Sequence, residues 1–346
     1  MQYQSFGQSD GKQRLLGITY HVGEEFHHPL SGLRHISEAV SFFKMHSGDR
    51  LGHALALGID IDYWFHNHRM TSMPCIEWME DCLWAWETAV SMSEPNGLSS
   101  FTKFLETEIL FCANSIYGTL NGISVKKLCD AYRSKTLDYA DLREIERRWE
   151  QKNVGKSIDC LREDQNRSYY PCALQAFPDR EFWWSEDALA MSYHCSYFKN
   201  RMSNEIMREV TLQEIDLTKQ LQSLLRKMIS ENGIILEENP SSNAVIGEMD
   251  GVMSHPICNL RSKDSHDSIV IASINTDDPS VFNSNVANEH ALIYFALLHH
   301  GYSVEESLQI MNEIREAGIS SSFLSDAPPF DMLLEEYEVI LRQIMM

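Results

Sequence analysis

The sequence predicts an α/β fold in which part of a (β/α)8-type barrel is interrupted by a large helical insertion. Three observations carry this. Short apolar runs ending in polar, turn-prone residues recur at 15–20, 50–57, 233–237 and 268–274. Helical periodicity follows such runs, and strand–helix alternation is the mark of a parallel α/β sheet. Between residues 59 and 220 that alternation stops and helical spacing takes over. The organisation expected is therefore 1–58 and 221–346 as two parts of a half-barrel, with 59–220 as an inserted helical subdomain.

The first run, LLGITY, reads as a buried strand ending at His21. Leu33, Ile36, Val40 and Phe43 then recur at helical spacing along one face. Residues 50–57 read as a second strand closing at Gly58. In the insertion, Ile76, Met79, Leu83, Trp86 and Val90 form one apolar stripe, and Phe101, Phe104, Leu105, Ile109 and Ala113 form another. The charged stretch 137–153 reads as a solvent-exposed helix. A helix at 221–230 leads to the strand 233–237 and a turn-rich 239–243. SIVIASI, 268–274, is the most strand-like segment of the chain. Helices are expected at 285–300 and 303–316, the latter opening on the capping-box pattern Ser303-x-x-Glu306, with a further helix over 330–346.

Composition narrows the function classes. The chain has 346 residues, 43% hydrophobic and 23% charged, which is globular. A formal charge of −21 argues against direct nucleic-acid binding through the overall field. Eight cysteines show no C-x-x-C spacing, which suits reduced thiols. No secretory pattern opens the chain, and no apolar run approaches the roughly 18 residues of a membrane span. A cytoplasmic protein without membrane partners is expected.

Four strand ends present chemistry: His21 with Gly23 and Glu24, His53, Asn243, and Asp277 with Asp278. In α/β barrels catalytic side chains sit at the C-terminal ends of several strands. Imidazole and carboxylate are ligands for a divalent metal, which lowers the pKa of water, while further carboxylates and histidines move protons.

These residues carry a resemblance. His21-x-Gly23-Glu24, Arg50-Leu51-Gly52-His53, Glu237-x-x-Pro240-x-Ser242-Asn243 and Asn275-Thr276-Asp277-Asp278-Pro279 occur in the order of the second half of the adenosine deaminase family, within the metal-dependent amidohydrolases. His255-Pro256, Glu289 and Ser322-Phe323 also match family positions, and the likeness covers about residues 15–58 and 233–325. The resemblance implies barrel strands 5–8 and one Zn²⁺ held by His21 and Asp277. It makes Glu24 the acid that protonates the purine at N1. His53 would act on the attacking water, Asp278 would orient that water, and Gly23 and Asn243 would belong to the substrate site. The implied reaction turns adenosine or an adenine nucleotide into its inosine form. The alternatives are a modified-purine substrate or a non-catalytic scaffold. The run from Gly52 through Asp60 to Trp64, with Leu83-Trp84-Ala85-Trp86, further resembles large bacterial adenosine-deaminase-like proteins, among them the deaminase subunit of RADAR antiphage systems. That resemblance implies a homo-oligomer.

The family's first strand carries His-x-His, two further metal ligands, and nothing before Leu15 contains it. A half-barrel supplied by another segment or chain is therefore the expected partner. The one His-x-His present, His66-Asn67-His68, lies in a polar stretch and reads better as a surface loop than as a metal site.

Overall fold

The computed structural model describes residues 17–91, 97–118, 120–136, 139–152, 184–247, 249–261 and 270–323. In chain order the elements begin β1 (Thr19–Val22), α1 (Pro29–Phe43), β2 (Arg50–His53), α2 (Ile61–Asn67), β3 (Met70–Pro74) and α3 (Cys75–Ser91). There follow α4 (Thr102–Tyr117), α5 (Val125–Arg133), α6 (Tyr139–Lys152), α7 (Glu186–Ser192), α8 (Ser196–Met202), β4 (Glu205–Glu209) and α9 (Leu212–Glu231). The chain continues through β5 (Ile235–Glu238), α10 (Pro240–Ile246), β6 (Ala272–Ile274), α11 (Pro279–Phe282), α12 (Val286–His299) and α13 (Val304–Ser320). No described helix is long and apolar enough to cross a membrane. Two compact units emerge. The first contains the described residues of 17–21, 39–54 and 227–323, and the second those of 22–38 and 55–226.

The first unit holds a four-stranded sheet of order β1-β2-β5-β6. β2 pairs β5 and β5 pairs β6, both in parallel, so the fold is α/β as expected. Register is set by Leu51 opposite Leu236 and Leu236 opposite Ala272, all buried. β1 is an edge strand, and its Thr19, Tyr20 and His21 are exposed. The first strand sits later than the apolar run predicted, with His21 inside it rather than beyond it.

The second strand is shorter than expected. It stops at His53, and 55–57 form a 3-10 turn instead. His53 and Ala54 adopt φ of 63° and 45°, which no extended strand can contain. Leu55, Ala56 and Leu57 are nonetheless all buried, which explains why they read as strand. The turn-rich 239–243 is helical: Pro240 opens α10 at its first position, where a missing N–H costs nothing. The last two helices match expectation, α12 with Asn285 as its cap and α13 with the full Ser303–Glu306 capping box. The helix predicted over 330–346 lies outside the described residues.

The second unit is mostly helical, with α3 packed along α4. It also contains an antiparallel pair that the sequence did not announce, β3 with β4, in the register Ser72 opposite Met207. Exposed Met70 and Met207 blur the alternation that would have revealed it. The buried face of α3 runs through Cys75, Trp78, Met79, Cys82 and Leu83, while Val90 is exposed. The predicted stripe was therefore rotated by about one residue. Phe101, just before α4, and Leu105, Ile109 and Ala113 on it are buried as predicted, while Phe104 is half-buried. α6 is less exposed than its charge suggests, because Leu142, Ile145 and Trp149 face the core.

Charge is buried in this unit. His28 is fully buried, with Nε2 2.8 Å from Glu214 Oε1. Arg208 donates to the same Glu214 oxygen at 2.7 Å and stacks 3.7 Å above the Trp78 ring. His27 is exposed and lies beside Glu77. Pro29 opens α1, and the His28 ring caps it by accepting from Leu30 N–H at 3.1 Å.

Candidate active site

The first unit gathers four of the predicted residues. His21 on β1 and His53 at the end of β2 meet edge-to-face, with ring centroids 4.6 Å apart. Between their backbones lies Gly52, where a Cβ would sit 2.2 Å from His21 Cδ2. Glycine is required there by the close approach of the imidazole. Gly52→Ala is accordingly expected to displace the His21 ring and lower the unfolding free energy by about 1–3 kcal/mol, as read by urea denaturation.

His53 is almost fully buried, and its Nδ1 is 2.6 Å from Asn243 Oδ1. Its Nε2 lies 4.0 Å from Asp277 Oδ2. Asp277 in turn accepts from Ser242 Oγ at 2.6 Å. His53 and Asp277 share a left-handed backbone, φ 63° and 55°, among only five described non-glycine residues that do. Such backbone costs of order 1–3 kcal/mol and tends to mark functional positions.

Asp278, Gly23 and Glu24 are placed differently, and Asn243 meets His53 from within the core. Asp278 caps α11, accepting from Ser280 N–H at 3.0 Å and Val281 N–H at 3.2 Å. Asn243 is fully buried among protein side chains, 2.8 Å from Glu238 Oε2 and 3.0 Å from His255 Nε2. Gly23 and Glu24 belong to the second unit, on the turn that follows β1. Gly23 has φ 75° and no room for a Cβ, which would meet Ile36 Cδ1 at 2.6 Å. Glu24 is half-buried. His66 is exposed, and His68 stacks on Trp64 at 4.2 Å; neither joins a cluster of three metal-ligating groups among the described residues.

Several supporting residues hold these strand ends. Glu237 accepts from Thr19 Oγ1 at 3.1 Å and from Asn275 Nδ2 at 2.9 Å, tying β1 and β6 to β5. Glu289 on α12 accepts from Ser241 N–H at 2.8 Å and from its hydroxyl at 2.6 Å, which anchors α10. Sequence reasoning missed Glu238. It follows Glu237 in the strand and so faces the opposite side, fully buried.

Comparison with known proteins bears on the same residues. The adenosine deaminase family model matches residues 215–336. An adenine deaminase of Rhizobium meliloti is 27% identical over 115 residues, which is 33% of this chain and 32% of that protein. An adenosine deaminase of Plasmodium vivax is 27% identical over 99 residues, 29% of this chain and 25% of that protein. That of Plasmodium gallinaceum is 34% identical over 73 residues, 21% of this chain and 19% of that protein. The chain thus matches less than a third of the length of each of these relatives. Residues 215–336 are an adenosine deaminase family segment.

This deaminase segment contains Asn243, Asp277 and Asp278, while His21, Glu24 and His53 precede it. It also contains the buried pair Glu238 and His255. Burial pushes the Glu238 carboxyl from 4.5 up to about 8, and burial followed by nearby His53 pushes His255 from 6.5 down to about 3. Burial thus favours the neutral form of both. For Glu238 the folded value exceeds the unfolded one, so its contribution is fully present below pH 4.5 and is lost as pH rises towards 8. For His255 the folded value is depressed, so stability is lost as pH falls below 6.5. Glu238→Gln, which keeps a neutral side chain, should flatten the decline of Tm with rising pH expected for the native protein between pH 4.5 and 8.

Proposed function

We propose that this chain contributes the metal- and water-handling half of a purine deaminase site, which hydrolyses the 6-amine of adenosine or an adenine nucleotide. The observation that carries the reading is the cluster at the strand ends of one parallel sheet. His21 lies against His53, and His53 Nε2 is 4.0 Å from the Asp277 carboxylate. Its support is the deaminase match across Asp277-Asp278 together with the motif order of the strands before it.

The donor set suits Zn²⁺. Imidazole and carboxylate are its ordinary ligands, and Asp277 is held in position by Ser242. His21 and Asp277 would hold the ion, and no hydrogen bond among the described residues engages the His21 ring. When bound, the ion would lower the pKa of water and polarise it for attack. Catalytic zinc sites use three protein ligands or more, so further histidines are needed. We infer that a His-x-His-bearing half-barrel supplies them, as another segment or a separate chain. The exposed edge strand β1, which carries His21, is where such a strand would pair.

The protein groups then divide the work. Glu24 gives a proton to purine N1, which makes the neighbouring C6 electrophilic. Asp278 and His53 hold the attacking water, whose oxygen bonds to C6. Asp278 takes one proton of that water and passes it to the amine, the C–N bond breaks and ammonia leaves, and the remaining hydroxyl proton returns to Glu24 as the C6 carbonyl forms. Gly23, next to Glu24, would contact the substrate through its backbone. The large bacterial adenosine-deaminase-like proteins, and with them a homo-oligomeric antiphage assembly, are the narrower setting we propose.

The test is conversion of adenosine and its 5′-phosphates to inosine products with ammonia release, assayed for the chain with a first half-barrel supplied. Loss of activity on chelation and recovery with Zn²⁺ are expected. Absence of bound metal and of turnover under those conditions would leave the scaffold reading instead.

A further inference from the structure

The buried residues beneath His53 determine which of its nitrogens carries the ring proton. The backbone N–H of Ile257 donates to His255 Nδ1 at 3.2 Å, so that nitrogen holds a lone pair. A histidine whose Nδ1 accepts must carry its proton on Nε2. The same local geometry occurs independently in the second unit. There His28 accepts at Nδ1 from Leu30 N–H at 3.1 Å, and its Nε2 meets the Glu214 carboxylate at 2.8 Å. Both histidines stand directly before a proline, Pro29 and Pro256, that opens a helical turn. The His-Pro step makes the imidazole a helix cap and thereby chooses its tautomer.

His255 Nε2–H then needs an acceptor. The near end of the Asn243 amide is 3.0 Å away, whereas Glu238 Oε2 at 3.8 Å is beyond hydrogen-bond reach. The oxygen and nitrogen ends of a planar amide are told apart by what their partners require. An N–H facing the amide requires oxygen at that end. The same end lies 2.8 Å from Glu238 Oε2. Two oxygens at that distance need a proton between them, so Glu238 must be the neutral acid and donate. Its complete burial, which pushes its pKa up to about 8, favours that form. The other end of the amide, now NH₂, faces His53 Nδ1 at 2.6 Å and donates to it. His53 is left with its proton on Nε2, on the side of Asp277.

We propose that Glu238 and His255 lock the Asn243 amide so that His53 presents an N–H, not a lone pair, at Nε2. Glu238 and His255 are then positioning residues acting through Asn243. Under the deaminase reading, on which this use rests, His53 donates to the attacking oxygen and leaves Asp278 to accept the water proton. The tautomer itself can be observed without metal, substrate or activity, so its failure and the failure of the deaminase reading are distinguishable.

The experiment is long-range ¹H–¹⁵N correlation of the histidine rings in the ¹⁵N-labelled full chain near pH 7. The native protein is expected to show protonated Nε2 and bare Nδ1 at both His255 and His53. Glu238→Gln, whose amide still donates to Asn243, should keep that pattern. Glu238→Leu should lose the single tautomer at His53. Asn243→Asp, which offers a carboxylate to Nδ1, should shift the His53 proton to Nδ1. Protonated Nδ1 at His53 or at His255 in the native chain overturns the proposal. An unchanged His53 signal in Glu238→Leu removes Glu238 from it.

Discussion

Asp277→Asn, in the chain supplied with a first half-barrel, is expected to lose bound divalent metal and with it essentially all purine deamination. Its carboxylate is the one acidic group at the strand ends held both by Ser242, at 2.6 Å, and against His53 Nε2, at 4.0 Å. An amide there keeps the shape and the Ser242 contact but gives up the negative charge that a divalent cation needs. Glu24→Gln should separate chemistry from metal binding. General acid catalysis contributes about 10²–10⁴ in rate, so a fall of that size with metal content intact is expected. Metal analysis beside kcat/KM for adenosine distinguishes the two. If Asp277→Asn retains a full complement of zinc, the ligand assignment is wrong. If Glu24→Gln is as active as the native protein, the proton donor lies elsewhere.

Arg34→Ala should be the most destabilising single change in the helical unit, by about 3–5 kcal/mol. Asp81 is completely buried, and Arg34 Nε donates to it at 2.7 Å while Ser31 Oγ donates at 2.6 Å. The guanidinium also reaches Glu38 at 2.9 Å and Glu80 at 3.4 Å. Burial pushes Asp81 from 3.8 up to about 6, and Arg34 opposes that rise, so the carboxylate is ionised at neutral pH only with its partner near. Removing Arg34 strands a charge in an apolar interior, where it must either protonate or draw in water. Because the folded value is raised, the stability linked to Asp81 is lost as pH rises from 3.8 to about 6, and in Arg34→Ala that loss should extend to higher pH. The double variant Arg34→Met, Asp81→Leu should recover much of the deficit, because no lone charge remains. Urea denaturation of the single and double variants measures the coupling. A single variant within 1 kcal/mol of the native protein would mean that Asp81 is solvated.

Much of the first unit was legible because its signals are local. Apolar residues lie in or beside these strands, and the chemistry follows closely: His53 after Leu51-Gly52, Asp277 shortly after Ala272–Ile274. The capping box at Ser303 is written in a few neighbouring residues and formed as expected. Long-range pairing left no such trace. β3 meets β4 across more than 130 residues, and both expose methionines that read as noise in an alternating pattern. The 55–57 segment was misread for the opposite reason: three buried apolar residues satisfy a strand pattern and a tight turn equally well.

By itself, then, the sequence determined the parallel α/β segments, the order of the deaminase-type motifs and the residue types at each strand end, because apolar spacing and turn chemistry act over a few residues. Only the tertiary structure decided which of those residues meet. It brought His21 against His53 through a glycine that has no room for a side chain. It buried His28 and Asp81 with partners far away in sequence. It put Glu238, one residue from a motif glutamate, beneath Asn243, where burial raises its pKa. Desolvation and hydrogen-bond complementarity are properties of the packed neighbourhood, and a linear pattern contains no measure of either.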